Sequence, residues 1–246
     1  MKHCIALATA VMLSGALPAA HAHNHTDHGT SASKTASTAA SQSGDASVMV
    51  RVSNPELLTA LKNPKASLAA ERTPLAFDNG ASAKNCLEYS EQLAKSQPAE
   101  TTRNFEIRSE YLLCDSLRLM AGKPFSAEKK SVSSGQAKAL YDKLDLRTFP
   151  SSLRNRADDT KYTLKTLLPG TKKSEGGAVA VETQDQHFRL EVVGTIDHGK
   201  GAGKTQEWIV WVTDELKNGS YRSYTQIVVN PPHSAAAPYT AASKPQ

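Results

Sequence analysis

Two hydrophobic periods divide this chain. From Ser82 to Leu144 the apolar residues recur every three or four positions, as along the buried face of a helix. Ser82 can cap a helix carrying Cys86, Tyr89, Leu93 and Ala94, and Pro98 interrupts it. Ile107, Tyr111, Cys114 and Leu117 share one face of a second helix, which Gly122 and Pro124 bring to an end. Ala137, Leu140, Tyr141 and Leu144 place a shorter helix over residues 134–144. Further on, the period falls to two. Phe188, Leu190, Val192 and Ile196 alternate with polar or small residues, and Tyr221 to Val229 continues the pattern. Trp208, Val210 and Val212 interleave with Ile209 and Trp211, so the strand Glu207–Thr213 is apolar on both faces and should be covered on both. Asn218-Gly219 predicts a hairpin ahead of Tyr221. Tyr162–Leu168 and Ala178–Glu182 read as two further strands.

Helices first and strands afterwards make an α+β fold: N-terminal helices, then an antiparallel sheet of four to five strands with the helices on one face. This order of elements resembles the cystatin-like and NTF2-like curved sheets, a likeness that implies a fold and assigns no residue a role. Cys86 and Cys114 lie on the two predicted helices, equally far from a break at residue 100. Helices meeting antiparallel there would bring the cysteines together, each about 20 Å of helix from the turn. A disulfide between them would staple a helical hairpin.

The ends of the chain follow neither period. Met1-Lys2-His3 is basic, Ile5 to Leu17 is apolar, Pro18 breaks the run, and Ala20-His21-Ala22 offers a peptidase site. Residues 1–22 therefore read as an export signal. The apolar stretch is shorter than the ~20 residues of a membrane span. Ala16 follows Leu13-Ser14-Gly15 where a lipid-bearing cysteine would stand, so no membrane anchor is expected. Export to the periplasm or the medium supplies the oxidising conditions that the disulfide needs. Residues 23–47 carry almost only His, Ser, Thr, Ala, Gly and Asn, and residues 231–246 are rich in Pro, Ala and Ser. Both predict disordered segments flanking one domain over residues 48–230.

Charge adds a regional signal. The chain is +5 overall, whereas Arg147, Arg154, Arg156, Lys161, Lys165, Lys172 and Lys173 lie within 27 residues that hold only Asp158 and Asp159 as acids. Such a surface suits an anionic envelope component or an acidic protein partner. No aromatic interleaving or nucleic-acid motif accompanies it, and no nucleic acid is expected.

Catalytic motifs fail on their spacing. In Gly199–Thr205 the first glycine of a phosphate-binding loop would fall on His198, and the residues after Thr205 form a strand. Asp197, Gly199, Gly201, Gly203 and Glu207 faintly resemble an extracellular calcium loop, with glycines where carboxylates should be. Ser126-Ala-Glu-Lys129 matches the penicillin-recognising S-x-x-K, as does Ser31-Ala-Ser-Lys34, and neither has the companion motifs. The predicted domain keeps only His187 and His198 for acid–base work. Glu106 with Glu110, and Asp158 with Asp159, are its carboxylate pairs.

One sequence feature has a defined metal chemistry. Cleavage after Ala22 would leave His23-Asn24-His25 at a free amine, with Asp27 and His28 behind. An amine, two amide nitrogens and a third-position imidazole form a square plane that suits Cu(II) or Ni(II). The sequence thus predicts an exported binding protein without catalysis, a copper- or nickel-binding protein in second place, and a hydrolase using a carboxylate site in third.

Overall fold

The structure, a computed structural model, describes residues 48–199, 205–232 and 234–242. Its first strand, β1 (Met49–Val52), leads into α1 (Pro55–Lys62) and α2 (Pro64–Ala69). Asn54 and Asn63 cap these two helices by accepting backbone N–H groups, and each is followed by a proline in the first turn. A two-strand ribbon, β2 (Leu75–Ala76) with β3 (Ser82–Ala83), precedes α3 (Cys86–Leu93). The cap of α3 is Asn85, and the expected cap Ser82 lies in β3.

The second predicted helix is three pieces: α4 (Thr102–Ile107), a 3-10 segment at Arg108–Tyr111 and α5 (Leu112–Met120). The disulfide Cys86–Cys114 forms between α3 and α5, with the two Cα atoms 5.0 Å apart. It joins the first turns of both helices, and a loop and α4 intervene where a plain turn at residue 100 is expected.

After β4 (Phe125–Ala127) come α6 (Lys130–Lys143), 3-10 turns at Leu146–Thr148 and Arg154–Arg156, and α7 (Leu164–Leu167). The expected strand Tyr162–Leu168 is therefore a helical turn. Thr163 and Thr166 close a reciprocal capping box, and Leu164, Leu167 and Leu168 bury at helical spacing. The remaining strands are β5 (Thr171–Glu175), β6 (Ala178–Glu182), β7 (Gln186–His198), β8 (Thr205–Leu216), β9 (Arg222–Asn230) and β10 (Thr240–Ala242). β10 lies within the stretch that composition marks as a disordered tail.

The strands form a mixed, largely antiparallel eight-stranded sheet in the order β10-β9-β8-β7-β1-β4, with β6 also on β7 and β5 on β6. It exceeds the four to five strands expected, because short β1, β4, β5 and β10 carry too few residues to show a period. Parallel pairing occurs between β1 and β4.

Helices cover both faces of the sheet, not one. On the first face Val50, Val52, Ile196, Ile209 and Val228 pack with Leu57, Tyr89, Tyr111, Cys114 and Leu117 of the amino-terminal helical region. On the second, Phe188, Leu190, Val192, Val210, Val212 and Ile227 pack with Leu140, Leu146, Phe149, Leu153 and Leu164. The expectation for Glu207–Thr213 holds: Trp208, Val210 and Val212 belong to the second core and Ile209 to the first.

A β-bulge sits where two neighbours meet on one edge of β7. Residues 187–191 pair with β6 and residues 194–197 with β1, and the register shifts between Val192 and Gly194. The extra residue reverses which way the side chains alternate. Phe188, Leu190 and Val192 face the second core, whereas Ile196, expected beside them, faces the first. Gly194 is needed at this junction, since a Cβ there would lie 2.7 Å from the Arg51 carbonyl oxygen.

A candidate binding cleft beside the edge of strand β9

A cleft of about 700 Å³ opens between β9 and the segment from Gln97 to Arg108. One wall is the unbroken run Tyr221–Ile227, and the other includes Pro98, Glu100, Asn104, Phe105 and Arg108. Asn104 fixes this second wall. Its side chain accepts from the Ala76 N–H and donates to the Ala76 and Ala99 carbonyls, at 2.7–3.1 Å.

Arg108 is the charged group set deepest in the lining, with 12% of its side chain exposed. Its guanidinium donates to the Tyr89 hydroxyl, which in turn donates to Asp115 at 3.2 Å. A second guanidinium nitrogen stands 3.9 Å from the other Asp115 oxygen. Burial raises the Asp115 carboxyl pKa, against the lowering effect of Arg108. Burial, reinforced by Asp115, also raises the Tyr89 hydroxyl. Burial thus disfavours the ionised form of Asp115, beside an Arg108 guanidinium that lines the cleft and can meet an anion there.

A hydrogen-bond chain sets the amide of Gln226 on the facing wall. Trp211 Nε1 donates to Ser116 Oγ at 2.8 Å, and Ser116 Oγ donates to Gln226 Oε1 at 2.5 Å. Among the described residues nothing accepts from the two N–H donors of the Gln226 amide. Tyr224 donates to Glu215, and burial pushes its hydroxyl pKa up to about 12, with Glu215 adding to the shift. Arg222 reaches to within 4.0 Å of Glu106.

The residues singled out in the sequence lie elsewhere or serve the fold. Glu110 accepts from the Thr73 N–H and hydroxyl, and Asp158 accepts from Thr160 and Lys161 in a turn. Of the basic cluster, Arg147 pairs with Asp145 and Asp159, Lys165 with Asp142, and Lys173 with Glu182, while Lys172 stacks on Tyr141. Arg156 donates to Gln186 and to the Leu167 carbonyl. Arg154 and Lys161 are exposed and make no side-chain hydrogen bond or ion pair among the described residues. His187 lies 3.6 Å from Glu182, and His198 lies 3.2 Å from Glu207. Neither histidine lines the cleft.

The calcium-like loop spends its end carboxylates internally. Asp197 accepts from Arg51 at 2.9 Å and from Gln206 at 2.7 Å, and Thr205 opens a strand, not a helix. Among the described residues no group of three or more His, Cys, Asp or Glu side chains could hold a metal ion. His23, His25, His28 and Asp27 lie outside the described residues, as do Lys200 to Lys204. No helix among the described residues is long and apolar enough to cross a membrane.

Sequence reasoning missed the cleft because its lining comes from three stretches far apart in the chain, residues 97–108, Pro150 and residues 221–227. Arg108, Asn104, Ser116 and Gln226 form no motif, and Gln226 is one polar residue among several in β9. No protein-family model, curated protein or solved structure matches this chain.

Proposed function

We propose that this chain is an exported binding protein without catalytic activity, and that the cleft between β9 and Arg108 is its ligand site. The carrying observation is the opposition of two oriented donors, the Arg108 guanidinium and the Gln226 amide, across a cleft that also offers Phe105, Pro98 and Tyr224 as apolar walls. Such a mixture of apolar lining and few fixed donors is characteristic of ligand sites. The hydrolase alternative has less support. Glu100 and Ser223 line the cleft, but neither is hydrogen-bonded to a histidine, so the arrangement of nucleophile and base is missing from its described lining.

The test is nuclear magnetic resonance of the isotope-labelled mature chain with small carboxylate fragments. Shifts should cluster on Arg108, Gln226 and Tyr224. Shifts confined to Arg154 and Lys161, or none at all, would refute the cleft as the site.

A second reading rests on the sequence His23-Asn24-His25 and is independent of the cleft. If cleavage follows Ala22, one cupric ion should bind per chain with the absorption of a square-planar nitrogen site, fading on acidification. His25→Ala or amino-terminal acetylation should abolish it, and binding that survives deletion of residues 23–28 rules the site out.

A further inference from the structure

The wall Tyr221–Ile227 is a stretch of sheet edge. Among the described residues β10 pairs with β9 at Val228, Val229 and Asn230, and residues 222–227 have β8 on one side and line the cleft on the other. The register shows which main-chain groups face the cleft. Leu216 N–H donates to the Tyr221 carbonyl at 3.0 Å, making that pair a hydrogen-bonded one. Bonded and non-bonded pairs alternate along an antiparallel ladder. Ser223, Thr225 and Ile227 therefore bond β8, while the N–H and C=O groups of Arg222, Tyr224 and Gln226 point away from it. Among the described residues nothing bonds the outward groups of Tyr224 and Gln226.

Resting on the reading of the cleft as the ligand site, we propose that its ligand is an extended acidic peptide that adds to β9 as a further strand and sets a carboxylate side chain against Arg108 and the Gln226 amide. Three observations favour this occupant. The cavity follows the strand for seven consecutive residues, a shape that fits a chain better than a compact molecule. The same edge already accepts a strand in β10, so its twist and spacing suit main-chain pairing. The side chains of Gln226 and Val228 lie on the first face, so alternate peptide residues turn towards Arg108 and the Gln226 N–H donors. These two donors favour an acceptor, and the charge of Arg108 favours a carboxylate over an amide.

The full mature chain is titrated, by fluorescence anisotropy, into labelled acetyl-Val-Glu-Val-Glu-Val-Thr-amide. Binding should weaken by about tenfold when glutamates are replaced by lysines, and by at least about tenfold when alternate peptide amides are N-methylated, because each loses contacts worth that much. Tyr224→Pro should also abolish binding while leaving the fold intact, since the lost N–H faces the edge and not the ladder. Arg108→Gln should erase the preference for glutamate over glutamine probes.

Undiminished binding of the N-methylated peptide overturns strand addition. If carboxylate fragments still shift Arg108 and Gln226 in that case, the cleft reading stands without it. If neither peptide nor fragment binds, both fail. Peptide binding that appears only after removal of residues 243–246 assigns the edge to the chain's own end and overturns the proposal. A dimer that Tyr224→Pro dissolves would assign the edge to a second copy and overturn it as well.

Discussion

Two of the buried carboxylates, Asp214 and Asp115, lie against opposite faces of the sheet, and their surroundings differ. Asp214, 1% exposed, accepts from the Ser152 N–H and hydroxyl, the Gln186 amide and the Tyr221 hydroxyl, at 2.7–3.3 Å. Its two oxygens are saturated by neutral donors from three segments. Asp115, 4% exposed, has one hydroxyl donor and an arginine just beyond hydrogen-bond distance. The first is a junction that locks the loop of Ser152 onto the sheet. The second is undersupplied, and the shortage lies beside an open cleft. Buried polar groups that are fully paired hold a fold together, and those left short are where a ligand can still gain a contact.

The largest effect is expected at the saturated site. Asp214→Ala leaves the Ser152 N–H without its acceptor and the Gln186 amide with the Ser152 hydroxyl alone, and should cost about 3–5 kcal/mol in urea unfolding, from the loss of several charge-assisted bonds. A loss below 1 kcal/mol would show that water enters and that the junction is not sealed.

Next comes the covalent restraint beside the undersupplied site. Cys86→Ser with Cys114→Ser should lower stability by about 3 kcal/mol on chain-entropy grounds for a bridge spanning 28 residues. Purified protein from an oxidising compartment should show neither of these thiols free until it is reduced. Free thiols at both positions would contradict the stapling of α3 to α5.

Ser116→Ala cuts the chain from Trp211 to Gln226. It should cost about 1–2 kcal/mol, since a buried indole N–H loses its acceptor. It should also weaken the acidic peptide, because the Gln226 amide is then free to turn. Unchanged peptide affinity would separate Gln226 orientation from binding.

The smallest change in stability, and the most specific, is expected for Asp115→Asn. Burial raises the folded pKa of Asp115, so the folded state keeps a proton that the unfolded chain releases. Wild-type stability should therefore fall as pH rises from the ordinary carboxylate range to the raised folded value. Asp145 works in the opposite sense: although burial opposes it, hydrogen bonds from Arg147 lower its pKa, and its contribution is lost as pH falls. The difference between the Asp115→Asn and wild-type profiles cancels Asp145 and isolates Asp115. Below the ordinary carboxylate range, where Asp115 is protonated in both states, the two proteins should differ by under about 1 kcal/mol, and Asp115→Asn should gain on the wild type as pH rises. Parallel profiles throughout would mean that Asp115 is ionised in the fold.

How far the sequence reveals these regions depends on the range of the contacts. The strands at Ala178–Glu182, Glu207–Thr213 and Tyr221–Val229 are legible because their period is carried by neighbours in the chain. Tyr162–Leu168 misleads because Tyr162, Leu164 and Leu168 share one parity and Thr163 and Thr166 are strand formers, whereas the buried set Leu164, Leu167 and Leu168 has helical spacing. The mutual capping of Thr163 and Thr166 shows only in three dimensions. The disulfide is legible from two cysteines and an oxidising compartment. Neither buried carboxylate is, because Asp214 draws its donors from residues 28 and 62 positions away. The cleft has the same origin: Ser116 and Gln226 are 110 positions apart.

The bulge at Val193 has a consequence for tolerance to sequence change. It acts as a phase shift: β7 is written in one frame up to Val192 and in the opposite frame from Gly194 onward. A point substitution leaves both frames intact, whereas an insertion or deletion re-reads everything downstream. Deleting Val193 would send Ile196 towards the second face and carry the carboxylate of Asp197, now bonded to Arg51 and Gln206, into the apolar layer of Val50 and Val52. This strand should therefore accept many replacements at Arg189 and Glu191 but no change in length between Val192 and Gly194.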